Sequence, residues 1–454
     1  MNQKNRGRKI LVSAIFIASD VLIIYAVFQS AFFVRQILTP VFEKEILWNL
    51  TASFMQLGIL FNIAAFYIQD LYPGYGLTAV KELERMGKSV SLAFFLIAAV
   101  SYLNKPFQGF SRSILLISWL LAVLALPLSR FAVRNIISKF SWYGMPIILF
   151  GDGAWGKQIA SSLKRARRLG WYVTKIMPIK TIEHGLMDTQ SEIAILAPSP
   201  ELPADKYARI LNKNFRKIIL IRQADNLGSL WVEPRDLEGQ LGLEFHYHLL
   251  VGSARWIKSL MDFGLGLALS VLLSPLFIIL CLLVVLDSPG PIFFYQERLG
   301  KDFKRFKIIK FRTMVADAEQ RLSEFLREDS NARAKYQKHH KLTDDPRLTR
   351  LGKWLRRYSL DELPQLWNVL KGDMSVIGPR AYLPSELDEM SDYAPIILRI
   401  QPGLTGWWQV MGRHNTTFEQ RLRMDEYYIS NWSLWMDYYI LLKTVWVVQS
   451  GKGV

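Results

Sequence analysis

Two adjacent carboxylic acids, Asp361 and Glu362, are the residues of this sequence best suited to chemistry. They follow Arg356 and precede Pro364, whose ring inside an α-helix clashes with the carbonyl four residues back. We therefore expect Asp361 to be the N-cap of a helix that carries Pro364 in its first turn. The helix dipole and the nearby arginine would then favour an ionised Asp361, and such a carboxylate attacks phosphorus or holds a metal.

The acidic pair also has a purely structural interpretation, because an aspartate before a helix is usually only a cap. Ser359 and Glu362 have the spacing of a capping box, although a helix that starts at Ser359 would enclose Pro364. The surrounding sequence decides between the two interpretations. Basic residues precede the pair at Lys310 and Arg312, within a stretch that alternates basic and aromatic residues over 301–312.

Two glycine-containing turns follow the acidic pair, Gly378-Pro379-Arg380 and the segment 402–410, which includes Thr405 and Gly406. Glycines let backbone N–H groups point at a phosphate, and the Arg380 guanidinium binds one through two hydrogen bonds. The 301–312 stretch suits anionic lipid headgroups. Nucleic acid is the alternative ligand, but no nucleic-acid-binding motif is recognisable, so we expect no nucleic acid partner.

The composition indicates a membrane part joined to soluble domains. The chain has 454 residues, is 51% hydrophobic and carries a formal net charge of +17. It is too apolar for a purely soluble protein of this size and too charged for a bundle of spans alone. Its single cysteine, Cys281, excludes an intramolecular disulfide and a cysteine-based zinc site.

Four segments are long and apolar enough to span a bilayer: roughly 10–33, 47–68, 90–103 with its flanks, and 114–133. Basic residues stand before the first, between the second and third, and at the end of the fourth, where they include Arg130 and Arg134. The positive-inside rule therefore places both ends of this bundle in the cytoplasm. Few polar residues interrupt the spans, so no transport pathway is indicated.

Residues 145–250 alternate predicted strands and helices, which indicates a doubly wound sheet. The strands are expected at 145–150, 172–179, 193–197, 218–221 and 243–246. Gly151, Gly153 and Gly156 have the spacing of a dinucleotide fingerprint. The second strand, however, lacks an acidic residue at its end for a ribose, and Trp155 is bulky for a phosphate loop. We expect a Rossmann-like fold used for support rather than for cofactor binding.

The apolar stretch 259–286 is flanked by basic residues on both sides, which argues that both of its ends stay in the cytoplasm. Pro275 frees a backbone carbonyl and bends a helix, and the Ser274 hydroxyl is placed to satisfy a freed group. We predict a re-entrant helix broken at Ser274 and Pro275. The alternative is a proline-kinked span.

The region from about 255 to the end resembles the bacterial polyprenyl-phosphate hexose-1-phosphate transferases, the large monotopic phosphoglycosyl transferases. The likeness is carried by the motifs Lys310–Met314, Asp345–Thr349, Ser359–Leu370, Lys371–Arg380, Pro402–Val410 and Gly412-Arg413. It is strongest to the undecaprenyl-phosphate galactose-1-phosphate transferases that prime O-antigen, capsule or exopolysaccharide synthesis. Ala381 departs from the family, which usually has a proline there.

The resemblance implies that Asp361 is the nucleophile and that Glu362 holds Mg²⁺. Hexose-1-phosphate, with galactose favoured over glucose, would pass from a UDP-hexose to undecaprenyl phosphate through a phosphosugar–aspartyl intermediate, releasing UMP. Substrate-binding residues would be Lys310, Arg312, Arg356, Arg380, Thr405 and Gly406. The implied protein is a homodimer in the bacterial inner membrane, with its catalytic domain on the cytoplasmic face.

The predicted architecture is a membrane protein that combines α and α/β domains. It has a four-helix transmembrane region (1–140), a Rossmann-like domain (141–252) and a C-terminal catalytic domain (253–454) with the re-entrant helix 259–286. Two other functions remain open: a membrane-anchored, NAD-dependent sugar-nucleotide enzyme and a non-catalytic scaffold for polysaccharide assembly. No Tyr-x-x-x-Lys pair follows the glycines in the 145–250 region, which counts against the NAD-dependent enzyme. The intact acidic pair argues against the scaffold.

Overall fold

The fold is taken from a computed structural model of the chain. It describes residues 3–39, 48–103, 111–182, 191–198, 207, 210–212, 214–221, 232–237, 240–245, 249, 253–315, 317–328, 345–412 and 416–449. The chain divides into two compact units, Met1–Asp225 and Asn226–Val454. The domain boundaries expected from the sequence, after residues 140 and 252, stay predictions.

Four long helices open the first unit: α1 (Gln3–Ile37), α2 (Trp48–Ile68), α3 (Ala79–Leu103) and α4 (Arg112–Ile137). Each contains a segment long and apolar enough to cross a membrane. Their facing sides bury a shared core that includes Phe28, Phe54 and Phe66, whereas Leu22 and Phe95 point outward and are more than half exposed. Apolar residues on both the inner and the outer side are typical of helices surrounded by lipid.

Charged residues inside this bundle are paired with one another. Arg130 hydrogen-bonds to Asp20, and Tyr72 donates a second hydrogen bond of 2.7 Å to the same carboxylate. Arg134 lies 2.7 Å from Glu82, and both side chains are almost fully buried. The sequence alone suggested that the two arginines were flanking charges. The structure places them inside, where a partner is needed because an unpaired buried charge is costly.

A four-stranded parallel sheet completes the first unit, in the order β2-β1-β3-β4. Its strands are β1 (Met145–Gly151), β2 (Trp171–Met177), β3 (Ile193–Ala197) and β4 (Lys217–Leu220), and α5 (Gly153–Arg165) follows β1. The two central strands are buried along their whole length, as expected of a sheet covered on both faces. The first four predicted strands are confirmed, and their order is that of a doubly wound sheet.

The fifth predicted strand does not join this sheet. Gln240–Phe245 forms β6, which pairs antiparallel with β5 (Val232–Leu237) as a separate hairpin; position 246 lies outside the described residues. The prediction of its partner was wrong because a short apolar run has the same local pattern in a hairpin and in a sheet. Only the tertiary contacts decide which strand it pairs with.

The glycine-rich turn after β1 contains an acidic residue, Asp152, at the start of α5. Asp152 precedes the first turn of α5, and its Oδ1 accepts a hydrogen bond of 3.1 Å from the backbone N–H of Ile179. Gly156 packs so closely on Gly151 that a Cβ there would lie 2.8 Å from the Gly151 carbonyl oxygen. This glycine therefore serves helix–strand packing, one of the three glycine roles in the fingerprint.

The second unit contains α6 (Ser253–Asp287), a single helix of 35 residues with Pro275 inside it. It is the fifth helix in the described part of the chain that is long and apolar enough to cross a membrane. Ser274 Oγ donates a hydrogen bond of 2.8 Å to the carbonyl of Val271. That carbonyl lies four residues before Pro275, so the serine satisfies the group that the proline leaves without its N–H partner.

Both ends of α6 pack against the folded part of the second unit. Near its start, Asp262 accepts hydrogen bonds from Ser375 Oγ at 2.7 Å and from the Val376 N–H at 3.2 Å. Near its end, Leu280 and Val284 belong to a buried cluster with Phe311 and Leu355. Burying each such side chain contributes about 1.5–3 kcal/mol. Between these two contacts Val271 and Leu272 are about 70% exposed.

The remainder of the second unit is built from short elements. A hairpin joins β7 (Phe293–Leu299) to β8 (Arg305–Phe311), and β9 (Ser375–Ile377) pairs in parallel with β10 (Gly403–Thr405). The helices are α7 (Ala318–Glu328), α8 (Arg350–Arg357), α9 (Leu366–Lys371), α10 (Leu387–Met390), α11 (Ala394–Ile397), α12 (Trp407–Met411), α13 (Phe418–Ser430) and α14 (Leu434–Gln449).

Candidate active site

The acidic pair lies at the corner between α8 and α9. Thr349 caps α8 by accepting a hydrogen bond of 2.9 Å from the Gly352 N–H. After α8 ends, Ser359 takes left-handed backbone angles (φ 55°), which turn the chain sharply. The following residues, Leu360–Gln365, form a 3₁₀ helix that carries Asp361 and Glu362 in its first turn.

The predicted N-cap at Asp361 is wrong. The cap position belongs to Ser359, which makes no side-chain capping hydrogen bond, and the α-helix proper begins only at Leu366. Pro364 does not decide between the two, because in a helix capped by Asp361 it would stand in the first turn, where no helical carbonyl lies four residues back. The left-handed turn at Ser359 instead starts a 3₁₀ helix two residues earlier than predicted.

Lys310, from β8, supplies the cation closest to the pair. Its Nζ lies 2.6 Å from Glu362 Oε1 and 4.0 Å from Asp361 Oδ2. Asp361 is only 8% exposed. Burial raises the pKa of its carboxyl, the Lys310 charge opposes that rise, and the Glu362 charge adds to it. The expectation that the surroundings favour the ionised acid is therefore reversed in direction: Asp361 is a more basic carboxylate than an exposed one.

Arg356, from the last turn of α8, supplies a second cation. Its Nε donates a hydrogen bond of 3.1 Å to Thr313 Oγ1. Burial lowers the pKa of its guanidinium, and the negative charge of Asp361 acts in the opposite direction. The structure therefore brings Lys310 and Arg356 to the acidic pair, as a site for a phosphate with an attacking carboxylate requires.

Arg312 lies two residues after Lys310 but contacts a different part of the unit. Its Nη2 donates to the Ser288 carbonyl, to Ser288 Oγ at 3.0 Å and to the Val284 carbonyl at 3.3 Å. These contacts hold the C-terminal end of α6. Its predicted role in binding substrate stays a prediction, and its observed contacts are with the protein itself.

Arg380, Thr405 and Gly406 form a second group, on the loops that follow β9 and β10. The Gly378 N–H donates a hydrogen bond of 2.9 Å to the Thr405 carbonyl. A Cβ on Gly406 would lie 2.2 Å from the Gly378 carbonyl oxygen, so only glycine fits there. Thr405 Oγ1 lies 2.8 Å from Thr444 Oγ1. Thr405 thus braces its loop from within, and Arg380, on the loop after β9, is a partly exposed cation.

Arg298, on β7, connects the two groups, and the sequence analysis missed it. Its Nη1 donates a hydrogen bond of 3.0 Å to the carbonyl of Ala381, the residue after Arg380. Burial lowers its pKa to about 10, with a further decrease from the Arg380 charge and opposing effects of the Glu386 and Glu362 charges. In the sequence Arg298 was one of the basic residues that follow the 259–286 stretch, and such a charge gives no signal of its partners.

The described residues contain no group of three or more His, Cys, Asp or Glu side chains that could hold a metal ion. The carboxylates at the candidate active site that could bind a metal ion are those of Asp361 and Glu362. A magnesium ion commonly takes only one or two protein carboxylates and completes its octahedron with substrate phosphates and water. The donor set therefore fits magnesium bound together with a phosphorylated substrate.

Residues 253–451 match a family described as bacterial sugar transferase. A Haemophilus influenzae protein described as an uncharacterized sugar transferase is 32% identical over 388 residues, covering 80% of this chain and 81% of that protein. The UDP-galactose-lipid carrier transferase of Erwinia amylovora is 30% identical over 393 residues, covering 82% of each chain. The undecaprenyl-phosphate galactose phosphotransferase of Salmonella typhimurium is 31% identical over 395 residues, again covering 82% of each.

Proposed function

The chain belongs to the bacterial sugar transferases and is a sugar-phosphate transferase, and from this premise we propose its substrates and mechanism. The substrates are a UDP-hexose and undecaprenyl phosphate, and the products are UMP and the lipid-linked hexose-1-phosphate. The observation that carries the proposal is the buried Asp361 carboxylate, 4.0 Å from the Lys310 ammonium and next in sequence to Glu362.

In the first half-reaction an oxygen of Asp361 attacks the phosphorus that carries the sugar. The bond from that phosphorus to the bridging oxygen breaks, and UMP leaves with the electron pair. In the second half-reaction an oxygen of the lipid phosphate attacks the same phosphorus and releases the Asp361 carboxylate. A covalent intermediate lets the nucleotide and the lipid use one site in turn.

The protein environment serves both steps. Burial raises the pKa of Asp361, and a more basic carboxylate is a better nucleophile once it is ionised. The charges of Lys310 and Arg356 offset the negative charge of the incoming diphosphate, which would otherwise repel the carboxylate.

We propose that Glu362, with the substrate diphosphate, would hold a magnesium ion. Such an ion neutralises phosphate charge when bound. Lys310 pairs with Glu362 at 2.6 Å, and its ammonium would have to turn toward a phosphate when the ion binds.

Galactose is the favoured hexose, because two of the relatives that cover most of the chain are described as galactose or UDP-galactose transferases. UDP-glucose is the alternative donor for the same reaction. The NAD-dependent alternative is disfavoured by the Asp152 carboxylate at the start of α5, which would repel a pyrophosphate at the position that the fingerprint reserves for it.

We further propose that α6 is re-entrant and that the catalytic unit lies on the cytoplasmic face of the bacterial inner membrane. The support is that Asp262, near the start of α6, and Val284, near its end, both contact the same folded unit. A helix that crossed the bilayer would carry its ends to opposite faces.

Homodimer formation is proposed on family likeness alone, and native mass measurement from nanodiscs tests it.

The experiment that tests the function supplies the full-length protein in nanodiscs with radiolabelled UDP-galactose or UDP-glucose and undecaprenyl phosphate. The expected result is one equivalent of UMP for each lipid-linked sugar phosphate, with UDP-galactose preferred. Absence of lipid product from every UDP-sugar tried would contradict the proposal. If product formed from UDP-glucose alone, the proposed reaction would stand, but the donor sugar would be glucose instead of galactose.

A further inference from the structure

A cluster of cations surrounds Trp408 in the second unit. The guanidinium carbon of Arg380 lies 5.6 Å from the centroid of the Trp408 ring, and that of Arg421 lies 5.5 Å from it. Both distances are within the range of cation–π contacts, which is about 6 Å. Two arginines thus share one indole, although their like charges repel each other.

Arg298 adds a third positive charge. It is bound to the Ala381 carbonyl at 3.0 Å, beside Arg380. Burial first, and then the Arg380 charge, lower the pKa of Arg298 to about 10 and also lower the pKa of Arg421. Arg380 is therefore close enough to both neighbours to repel them.

The nearby carboxylates do not neutralise this cluster. Glu386 Oε1 lies 3.6 Å from Arg380 Nη2. Asp425 accepts hydrogen bonds from the Arg380 N–H at 3.0 Å and from the Tyr382 hydroxyl at 2.8 Å, and burial raises its pKa to about 7. Three arginines thus face Glu386 and the partly ionised Asp425. Glu362 also acts on Arg298 but is paired with Lys310, so positive charge is in excess.

Some donors of the cluster have acceptors and others do not. Arg298 Nη2 donates a hydrogen bond of 2.7 Å to Gln296 Oε1, and Arg421 Nη2 donates one of 3.5 Å to the Thr416 carbonyl. The Nε atoms of Arg298, Arg380 and Arg421 and the Nε1 of Trp408 are all buried, and none has a partner among the described residues. Buried donors without acceptors are rare in native proteins, so four of them together need an explanation. Packing alone explains the stacking on Trp408, but it explains neither the missing acceptors nor the uncompensated charge.

The position of the cluster connects it to the acidic pair. Arg298 lies on β7, which pairs with β8, the strand that carries Lys310, and Lys310 contacts Glu362. The Glu362 charge also acts on Arg298, opposing the fall in its pKa that burial and the Arg380 charge cause. Arg380 is also partly exposed, with 26% of its side chain accessible. An anion that approaches the acidic pair can therefore reach the cluster.

We propose that Arg298, Arg380 and Arg421, with Trp408, form a second phosphate subsite beside the acidic pair. The proposal rests on the proposed function only for the origin of the phosphate, which belongs either to the nucleotide or to the polyprenyl phosphate. A phosphate at the accessible side of Arg380 supplies the negative charge that the cluster lacks and accepts charge-assisted hydrogen bonds from its guanidinium.

The test measures binding rather than turnover, with the full-length protein in nanodiscs. The probes are UMP and a short-chain polyprenyl phosphate, each titrated by calorimetry against wild type, Arg298→Gln and Arg421→Gln. Loss of a charged hydrogen bond weakens binding by about tenfold or more, so at least one probe should show that decrease. The probe that weakens identifies the source of the phosphate, and a decrease for both means that the two ligands use the subsite in turn.

Arg423→Gln is the matched control. Arg423 lies on the same helix, α13, but is exposed and pairs with Glu419 at 2.6 Å, so both probes should bind this variant as they bind wild type. Wild-type affinity of both glutamine variants for both probes would overturn the proposal, as would the absence of any binding of either probe to wild type.

Two milder variants keep the test decisive if the glutamine variants fail to fold. Arg421→Lys keeps the positive charge but removes the planar guanidinium group with its paired N–H donors. Trp408→Phe keeps an aromatic ring but removes the indole N–H. Weaker binding with a retained melting temperature supports the subsite, and unchanged binding overturns it. If wild type makes no lipid product but these variants still bind a probe more weakly, the proposed function fails and the subsite stands.

Discussion

Lys310 forms its short ion pair with Glu362, at 2.6 Å, and lies 4.0 Å from the carboxylate of Asp361. One ammonium thus holds Glu362 directly and acts on Asp361 through its charge. The two acids are adjacent in sequence, but their surroundings differ, because the side chain of Asp361 is 11% exposed whereas that of Glu362 is 31% exposed.

Lys310→Met should shift the pH dependence of UMP release. Burial raises the pKa of Asp361 and the Lys310 charge opposes it, so removing that charge raises the pKa further. The attacking form is the carboxylate, and the acidic limb of the pH–rate profile should therefore move to higher pH. The loss relative to wild type should shrink as the pH rises.

The control for this measurement is Lys307→Met, an exposed lysine on the same strand, whose profile should match wild type. An identical pH profile for Lys310→Met and wild type would show that Lys310 does not act on the nucleophile.

Asp361→Asn should reduce product formation by about a thousandfold or more, because the amide is nearly isosteric but is not a nucleophile. The measurement is single-turnover formation of labelled protein and of lipid product. The variant should melt no lower than wild type, since replacing a buried acid by an amide removes a charge that burial disfavours. Near-normal product formation by a pure sample would remove Asp361 from this role.

Excess EDTA should abolish activity, and added magnesium should restore it. Glu362→Gln should slow the reaction and also raise the magnesium concentration needed for half-maximal rate, because one of the two carboxylates of the donor set is lost. The measurement is initial rate against magnesium concentration. Full activity in EDTA, or an unchanged magnesium optimum in Glu362→Gln, would show that the arginines and Lys310 neutralise the diphosphate alone.

Tyr295→Cys in a Cys281→Ser background should react with membrane-impermeant maleimide only after the cytoplasmic side is opened. Tyr295 lies on β7, after α6, and is 55% exposed. Labelling from the periplasmic side of intact cells would show that α6 crosses the membrane.

In the same background Pro275→Ala should lower activity more than it lowers membrane insertion, because a straight helix would misplace the folded unit.

The full-length protein should not bind NADH, as measured by the change in its fluorescence. The reason is the Asp152 carboxylate hydrogen-bonded at the start of α5. Asp152→Ala removes that repulsion and is the informative comparison. Tight binding of NADH to wild type would restore the dinucleotide interpretation of the glycine motif.

The elements that the sequence predicts well are those with a strong local signal. The long apolar helices and the four strands of the parallel sheet follow from composition and periodicity. The Ser274 hydrogen bond to Val271 follows from the position of Pro275, because the proline determines which carbonyl loses its partner.

The missed features depend on residues far apart in the chain. Nothing near Arg130 in sequence reveals that Asp20 will neutralise it, and nothing near Arg298 reveals Arg380. The 3₁₀ turn at the acidic pair was missed for a different reason. Pro364 excludes an α-helix that starts much earlier, but it permits both an α-helix capped by Asp361 and a 3₁₀ helix, and the left-handed Ser359 decides between them.

The attachment of α6 at both ends has a mechanical consequence. Because Asp262 is bound to β9 near the start of α6 and Val284 packs on β8 and α8 near its end, the helix cannot tilt without carrying the acidic pair with it. In the re-entrant arrangement proposed above, the exposed apolar middle of α6 would fix the height of Asp361 above the acyl chains. The depth of α6 in its leaflet would then set the alignment of the proposed nucleophile with a lipid phosphate, without any separate sensing domain.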